Sequence, residues 1–574
     1  MRSIGDGPCS ALLRSGRPDI QSFQDQDGSF VLIDGEIFDI SGETARARNT
    51  AAAVLALYRR HGIEGFARLN SNAAVAVWDA PAQRLIFARD RTGLGLCYWM
   101  ERNGAVLFSS DLVSLLRRDE RTELNPEAID LFLASGFISS PWTSLRHIHK
   151  VPLGHCLIVD AEGTRLKRYW RQSGKPRLRL SKQETIERLA ELVNQAVARQ
   201  HSGGARSGLL LSSGVDSTLL AALLARHGIK PDTFTFRYTH YEGRYNESPG
   251  ALRAAQHCGL PHTEMLVGPE DVSGALEEVL LRHQGPMTYG LHTAILKDIA
   301  ESGAQILYSG QGNGSLCPSA TERFALALGH LPFPHRTVAR LLRKRIDGGR
   351  SQRLLRVGLI AATGLNWRFH APLTDDAARA ELYLEPERTE HAVAAQHELF
   401  QSVIAQYDGE SDIDRMSGAL QSLYTADGTL HWTAAFSRSY GLLPRCPYFD
   451  SDLIDFLYRL PRQTGKAEIR SYASQLLPPD LAYAKKLGQT IPISLWFRGP
   501  LAPWLRQQLD RDRIVAAGLF HPARVQALVD QHVSGAADRG WTLWIILVLT
   551  AWQEIVRREA GRLLSAETMI SRTG

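Results

Sequence analysis

The chain has 574 residues, 44% of them hydrophobic and 22% charged, which excludes a single small core, a disordered chain, a collagen-like repeat and a coiled coil. Lys and Arg exceed Asp and Glu by 66 − 60 = 6, too mild an excess for this length to argue for a nucleic-acid partner. The six cysteines, Cys9, Cys97, Cys156, Cys258, Cys317 and Cys446, form no CxxC pair, so neither a disulfide framework nor a zinc site is expected and the reducing cytoplasm is the expected location.

Residues 1–16 contain Asp6 and Pro8 and lack the apolar run of a signal peptide. The first domain is expected over residues 1–175, with short strands at Ser29–Ile33, Ala74–Trp78, Arg84–Ala88 and Val106–Ser109, turns at Asp34-Gly35 and Thr92-Gly93, and one helix at Thr50–His61. That is an α+β pattern with hairpins. Residues 168–179 turn basic and lose periodicity, which reads as a linker.

The second domain is expected over residues 176–574. After a helix at Lys182–Gln200, strands (Gly208–Leu211, Thr233–Tyr238, Thr263–Leu266, Gln305–Tyr308) alternate with helices (Thr218–His227, Ala251–Cys258, Leu291–Ser302). This rhythm predicts an α/β, doubly wound parallel sheet with ligands at the carboxyl ends of its strands. Beyond residue 318 only helices are expected. The apolar run Trp541–Trp552 is too short to span a bilayer and reads as a buried helix.

The sharpest local signal is Leu209-Leu210-Leu211-Ser212-Ser213-Gly214-Val215-Asp216-Ser217-Thr218, an apolar strand entering a small-residue turn and then a helix. Such a junction points backbone N–H groups and hydroxyls at one spot, an anion cradle. No Gly-Lys-Ser/Thr follows, so it is not a Walker loop. The same run also reads as a Ser-capped helix after a core strand.

The run resembles the pyrophosphate loop of the N-type ATP pyrophosphatases, usually Ser-Gly-Gly-x-Asp-Ser. By that resemblance Leu211, Ser212, Ser213, Gly214, Val215, Asp216 and Ser217 bind ATP, and Asp216 faces Mg²⁺. The α-phosphorus is then open to attack by a carboxylate, which yields an acyl-adenylate. The wider chain resembles asparagine synthetase and its relatives, from about residue 25 to residue 510. The resemblance is carried by Ile33–Phe38, Val77–Asp79, Phe87–Gly93 and Lys150–His155, then by Phe234–Arg237, Asn246–Ser248, Tyr308–Gly312, Pro444–Asp450 and Lys485–Pro492. It implies an N-terminal glutaminase-like (Ntn-type) α+β domain, an ATP-pyrophosphatase synthetase domain and a helical C-terminal part.

Departures from that pattern carry as much weight. A glutaminase of this type uses a cysteine directly after the initiator Met, and Arg2 stands there. The Asn of the family's Asn-Gly-Glu motif is Asp34, whose carboxylate would repel an oxyanion. The Asp that holds the glutamine amine is missing around Asn49, Thr50 and Ala51. Glutaminase chemistry is therefore expected to be lost, and Cys9 is expected to be an ordinary thiol. The family's acidic Ser-Gly-Glu-Gly-x-Asp-Glu motif reads Ser309-Gly310-Gln311-Gly312-Asn313-Gly314-Ser315. Gly310 and Gln311 are assigned to the nucleotide, Asp216 is expected to be the sole protein carboxylate on Mg²⁺, and Gln311 or Asn313 is expected to give it an amide oxygen.

Lys486 stands where the resemblance places a phosphate-facing lysine, whose ammonium would offset charge developing on the α-phosphate. Glu247 is a candidate base for the attacking amine, or else a substrate ion-pair partner or core cap. Arg445 and Asp450 are expected to buttress the helical core, with Trp432, Trp496 and Trp504 packing there or in a lid. An insertion over Thr321–Asp412, with a basic run at residues 340–356, is suited to wall a peptide-sized cavity.

Two groups in this superfamily lack the N-terminal cysteine and use an amine already present in the substrate, the β-lactam synthetases and the lasso-peptide macrolactam synthetases. The neutral Gln311 motif, the insertion and the length resemble the lasso cyclases. The implied reaction uses ATP and Mg²⁺ to adenylate an Asp or Glu side chain of a core peptide and closes an isopeptide bond with its N-terminal amine. The implied partners are the precursor or core peptide, a leader peptidase and a leader-recognition protein. The alternatives are an ammonia-dependent, asparagine synthetase-like amidotransferase, a β-lactam synthetase acting on a small molecule, and a non-catalytic scaffold.

Overall fold

The computed structural model describes residues 9–11, 20–40, 49–201, 203–239, 246–288, 295–312, 379–408, 412–461, 466–484 and 491–563. In the N-terminal part a six-stranded antiparallel sheet runs in the order Gly163–Arg168, His155–Asp160, Arg84–Arg89, Ala74–Asp79, Phe30–Asp34, Ile20–Gln24. Its two faces feed different clusters. Val31, Ile33, Val75, Val77, Ile86 and Ile158 pack against helix Thr50–His61, while Phe30, Leu32, Leu85 and Phe87 face a four-stranded sheet containing Tyr98–Arg102 and Ala105–Ser109. This strict alternation is what a strand covered on both faces requires.

The sequence expectation of one helix in this part is corrected by Pro126–Ser135, capped by Asn125 and carrying Pro at its start. Ala128, Ile129, Leu131, Phe132, Leu133 and Ala134 are all buried. A helix apolar nearly all round has no polar stripe to betray its period. The expected linker is also corrected. Gln172 is buried and donates to the Ile454 carbonyl, and Arg177 pairs with the buried Asp414. The basic stretch is thus fastened to the C-terminal part.

The second sheet has five parallel strands in the order His262–Val267, Asp232–Tyr238, Ser207–Leu210, Ile306–Ser309, Leu443–Arg445. The last of these overturns the expectation that strands end by residue 318. Leu443-Pro444-Arg445 is too short for a periodic signal, and its extended state is supplied by pairing with Ile306–Tyr308. From Ser207–Leu210 the chain winds outward through two strands, then returns to the other side at Ile306–Ser309. A crevice therefore opens between these two strands at their carboxyl ends.

Helix Gly540–Glu559 contains the expected apolar run, with Leu543 to Leu549 and Trp552 buried. Its Trp552 indole donates to Ser144 and its Trp544 indole to the Thr288 carbonyl. The largest hydrophobic cluster joins Leu94, Tyr98, Met100 and Phe132 of the N-terminal part to Leu209, Leu219, Phe436 and this helix. The two parts consequently share a core. Among the described residues no helix is long and apolar enough to cross a membrane.

Of the insertion, residues 379–408 are described, and the basic run at 340–356 lies outside the described residues. Helix Arg388–Ile404 packs on Pro126–Ser135. There Asp130 accepts from Arg379, Tyr383 and Gln396 in a fully buried network.

Candidate functional site

Strand Ser207–Leu210 ends one residue before the turn, and helix Val215–Arg226 begins three residues earlier than its sequence pattern predicts. Asp216 and Ser217 therefore stand in the first helical turn. Gly214 leads into the helix in extended geometry and supplies no side-chain cap. The first-turn N–H groups face the crevice, with Asp216 placed favourably at the positive end of the helix dipole.

The turn is held by its own hydroxyls. Ser212 N–H donates to Ser217 Oγ (3.1 Å), the two hydroxyls lie 2.8 Å apart, and Gly214 N–H donates to Ser212 Oγ (3.2 Å). Leu211 N–H donates to the Phe234 carbonyl, which prolongs the sheet by one residue. Ser213 Oγ is buried without a hydrogen-bond partner among the described residues.

The facing strand delivers Gly310 and Gln311. A Cβ on Gly310 would lie 2.7 Å from both the N and Cα of Ser217, so only glycine lets this strand end close onto the helix start. Gln311 is half-exposed and its Oε1 accepts from the Thr433 hydroxyl at 2.6 Å. Tyr448 donates to the Asp216 carbonyl oxygen at 2.8 Å and braces the helix start. An uncapped helix start, an orphaned buried hydroxyl and a floor kept clear by glycine suit a phosphate chain.

One participant was missed by sequence reasoning. Lys466 Nζ lies 3.0 Å from Asp216 Oδ2. Nothing local in the sequence ties it to Asp216, 250 residues away. Lys486 lies outside the described residues, as does Asn313.

Among the described residues no group of three His, Cys, Asp or Glu side chains is poised for a metal. Asp216 is the carboxylate at the cradle and it already meets Lys466. This set suits a magnesium ion carried by the nucleotide's own oxygens and touched by one carboxylate. The Gln311 amide oxygen, expected to face Mg²⁺, already accepts from Thr433, which leaves it one lone pair for a metal.

Glu247 is buried just ahead of helix Ser248–Cys258. Its charge, after burial, helps push the Tyr238 phenol up, and Tyr238 packs edge-on against the buried Trp496. Three residues on, a Cβ on Gly250 would lie 2.5 Å from Ser213 Cβ. The fold thus brings Leu211–Ser217, Gly310, Gln311 and Lys466 together and sets the helix that follows Glu247 against Ser213.

The Asp34-Gly35-Glu36 turn is packed against the C-terminal part. Asp34, at the end of strand Phe30–Asp34, pairs with Arg438 at 2.8 Å and also accepts from Ser110. Arg438 donates a second bond to the Asn72 carbonyl (2.6 Å). Gly35 has φ +121°, and a Cβ there would fall 2.6 Å from both Arg438 Nη2 and Asn72 O. Beside it Arg445 forks onto Glu36, Asn72 donates to the Pro444 carbonyl, and Asp450 joins Asn70 to Arg199. Arg445 and Asp450 do buttress, as expected, and they do so across the two parts. Trp432 and Trp504 are partly buried against the main core. Arg2 lies outside the described residues, and Cys9 sits in a strand paired with Val106.

Residues 188–554 match the family model described as Asparagine synthase, and residues 25–170 match the glutamine amidotransferase domain. The chain belongs to the asparagine synthase family. It is 21% identical over 555 residues, 92% of this chain and 85% of the relative, to "Asparagine synthetase [glutamine-hydrolyzing] 1" of Bacillus subtilis (strain 168). It is 25% identical over 531 residues, 88% and 79% of the two chains, to a putative glutamine-hydrolysing asparagine synthetase of Mycobacterium bovis. It also matches "Amidase chyE" of Penicillium rubens at 25% over 324 residues, 51% and 48% of the two chains. A solved NH3-dependent NAD synthetase from Campylobacter jejuni covers 42% of this chain and 96% of its own at 12% identity, with a TM-score of 0.18.

Membership of the asparagine synthase family makes the chain an ATP-dependent, amide-forming type of ligase. The fold is that of an amidotransferase-like N-terminal domain joined to an ATP-pyrophosphatase domain with helices at its C-terminal end.

Proposed function

We propose that this chain is a macrolactam synthetase, with a degenerate amidotransferase-like domain over residues 1–175 and a synthetase domain over 176–574. An Asp or Glu side-chain carboxylate of a core peptide attacks the α-phosphorus of ATP and pyrophosphate leaves. The peptide's N-terminal amine, having lost a proton, then attacks the acyl carbon and expels AMP, leaving an isopeptide bond. Leu211–Ser217 hold the leaving phosphates through backbone N–H groups and hydroxyls, with Asp216 toward Mg²⁺. Lys486 offsets charge at the α-phosphate, and Glu247 is the candidate base. Holding amine and acyl group together makes ring closure effectively unimolecular.

The observation that carries this reading is the Asp34–Arg438 ion pair. An arginine packed over Gly35 argues against glutamine hydrolysis there and favours an attacking nitrogen drawn from a source other than glutamine. The precursor peptide, a leader peptidase and a leader-recognition protein are the corresponding partners. A leader-free core peptide incubated with enzyme and Mg-ATP should lose one water in mass and release AMP and pyrophosphate. Acetylating its N-terminus should abolish the loss, and ADP as product would contradict the scheme.

A second reading is favoured by the relatives, whose names are those of asparagine synthetases. On that reading ammonia, or an amine within a small molecule, takes the place of the peptide amine. Stoichiometric incorporation of ammonium into a small acid, with no cyclised peptide, would select it.

A further inference from the structure

We propose that Thr433 is a positioning residue that turns Gln311 into a phosphate donor, so that the crevice takes hold of a polyphosphate through an amide N–H at the place where a carboxylate would need a metal between itself and the nucleotide. The inference rests on the ATP reading above and deepens it by naming how the far wall of the crevice meets the nucleotide.

A threonine hydroxyl has one proton to give. Two acceptors lie near the Thr433 hydroxyl, Gln311 Oε1 at 2.6 Å and the Thr429 carbonyl at 3.4 Å, and the shorter contact takes the proton. Thr433 is buried within helix His431–Ser439. With Oε1 engaged, the amide presents its NH₂ group, which has no acceptor among the described residues. The Gln311 backbone N–H is likewise fixed, donating to Ser309 Oγ at 3.3 Å.

Position follows from Gly310, whose missing side chain lets the strand end close onto Ser217 and the Asp216 carbonyl carbon. Gln311 consequently leaves the strand beside the first turn of helix Val215–Arg226. Donors then converge from both walls, backbone N–H groups from one and the Gln311 amide from the other. Asp216, the cradle's carboxylate, is offset by Lys466, which lessens its repulsion of an incoming polyphosphate.

The test is equilibrium binding of a non-hydrolysable ATP analogue to the full chain, in EDTA and in Mg²⁺, for wild type, Gln311→Glu, Gln311→Met, Thr433→Val and Thr433→Ser. Wild type should bind in EDTA within several-fold of its affinity in Mg²⁺. Gln311→Glu should lose about tenfold or more in EDTA, the worth of one hydrogen bond to a charged group, and regain part of that in Mg²⁺. Gln311→Met and Thr433→Val should lose affinity to similar extents in both buffers, and Thr433→Ser should restore the wild-type pattern, which a merely structural role would not require. Tighter Mg-dependent binding by Gln311→Glu, with wild-type binding abolished by EDTA, would overturn the proposal and make the amide oxygen the presented group. Wild-type binding with all four variants unaffected would overturn the proposal alone. No nucleotide binding by wild type in either buffer would overturn the ATP reading itself.

Discussion

Asp34 and Arg438, 404 residues apart in the chain, form a buried 2.8 Å ion pair that joins a strand of the N-terminal sheet to the helix carrying Thr433. Removing one partner of a buried ion pair costs about 3–5 kcal/mol. Arg438→Met should therefore lower the stability by roughly that amount, read from urea unfolding. Asp34→Asn, which restores the family's amide at this position, should still release no glutamate from glutamine, because Arg438 continues to fill the space over Gly35. Glutamine turnover by wild type would defeat this account.

The fold class and the cradle were legible because both are written in local pattern. Leu209–Ser217 carries strand, turn and helix start within a few residues, and the strand–helix rhythm around it predicts a parallel sheet. The strand Leu443–Arg445 was illegible since a partner strand, not its own residues, makes it extended. Lys466 was illegible for the same reason. Its meeting with Asp216 spans 250 residues, and no spacing rule reaches that far. Asp34 was read as a lost catalytic group, and its partner Arg438 could be found only in three dimensions.

The Asp130 network fixes the described end of the insertion to the N-terminal part. Arg379 and Asp130 are both fully buried, and Tyr383 and Gln396 supply two further donors to the same carboxylate. Asp130→Leu removes the carboxylate that these three buried donors share and should cost about 3–5 kcal/mol. Adding Arg379→Met should recover most of the loss, because a well-packed apolar pair of similar volume can replace a buried ion pair. Equal instability of the single and double variants, measured as urea midpoints, would show that the charge pairing is not the source.

Acid should loosen the protein through His431. Burial, reinforced by the nearby charge of Lys150, holds this imidazole well below its ordinary 6.5, and its neighbour His283 is held at about 4 by burial. His431 Nε2 donates to the His283 carbonyl at 3.0 Å, while its buried Nδ1 has no partner among the described residues. Both folded values lie below the unfolded ones, so the unfolded chain takes up protons first as pH falls from 6.5. Stability present above pH 6.5 is lost across that window, by roughly 1.4 kcal/mol per pH unit for each group titrating only when unfolded. Thermal unfolding between pH 7 and pH 5 should show this slope, and His431→Gln should flatten it by about one proton's worth. An unchanged slope in the variant would rule His431 out.

The Lys466–Asp216 contact predicts an order among variants. A polyphosphate entering the crevice meets the Asp216 carboxylate, and the Lys466 ammonium 3.0 Å away offsets that charge. Removing the lysine alone leaves like charges facing each other, whereas removing both leaves a neutral wall. In EDTA, Lys466→Ala should therefore bind a non-hydrolysable ATP analogue more weakly than the double variant Asp216→Ala/Lys466→Ala. The gap should shrink as salt is raised, because the contact is partly exposed to solvent. In Mg²⁺ with substrate present, Asp216→Ala should suppress AMP and pyrophosphate release together, since the carboxylate steadies the metal-bearing phosphates. Should Lys466→Ala bind the analogue in EDTA as tightly as wild type, the lysine is a solvated neighbour of Asp216 and the crevice owes its phosphate affinity to the helix start and Gln311 alone.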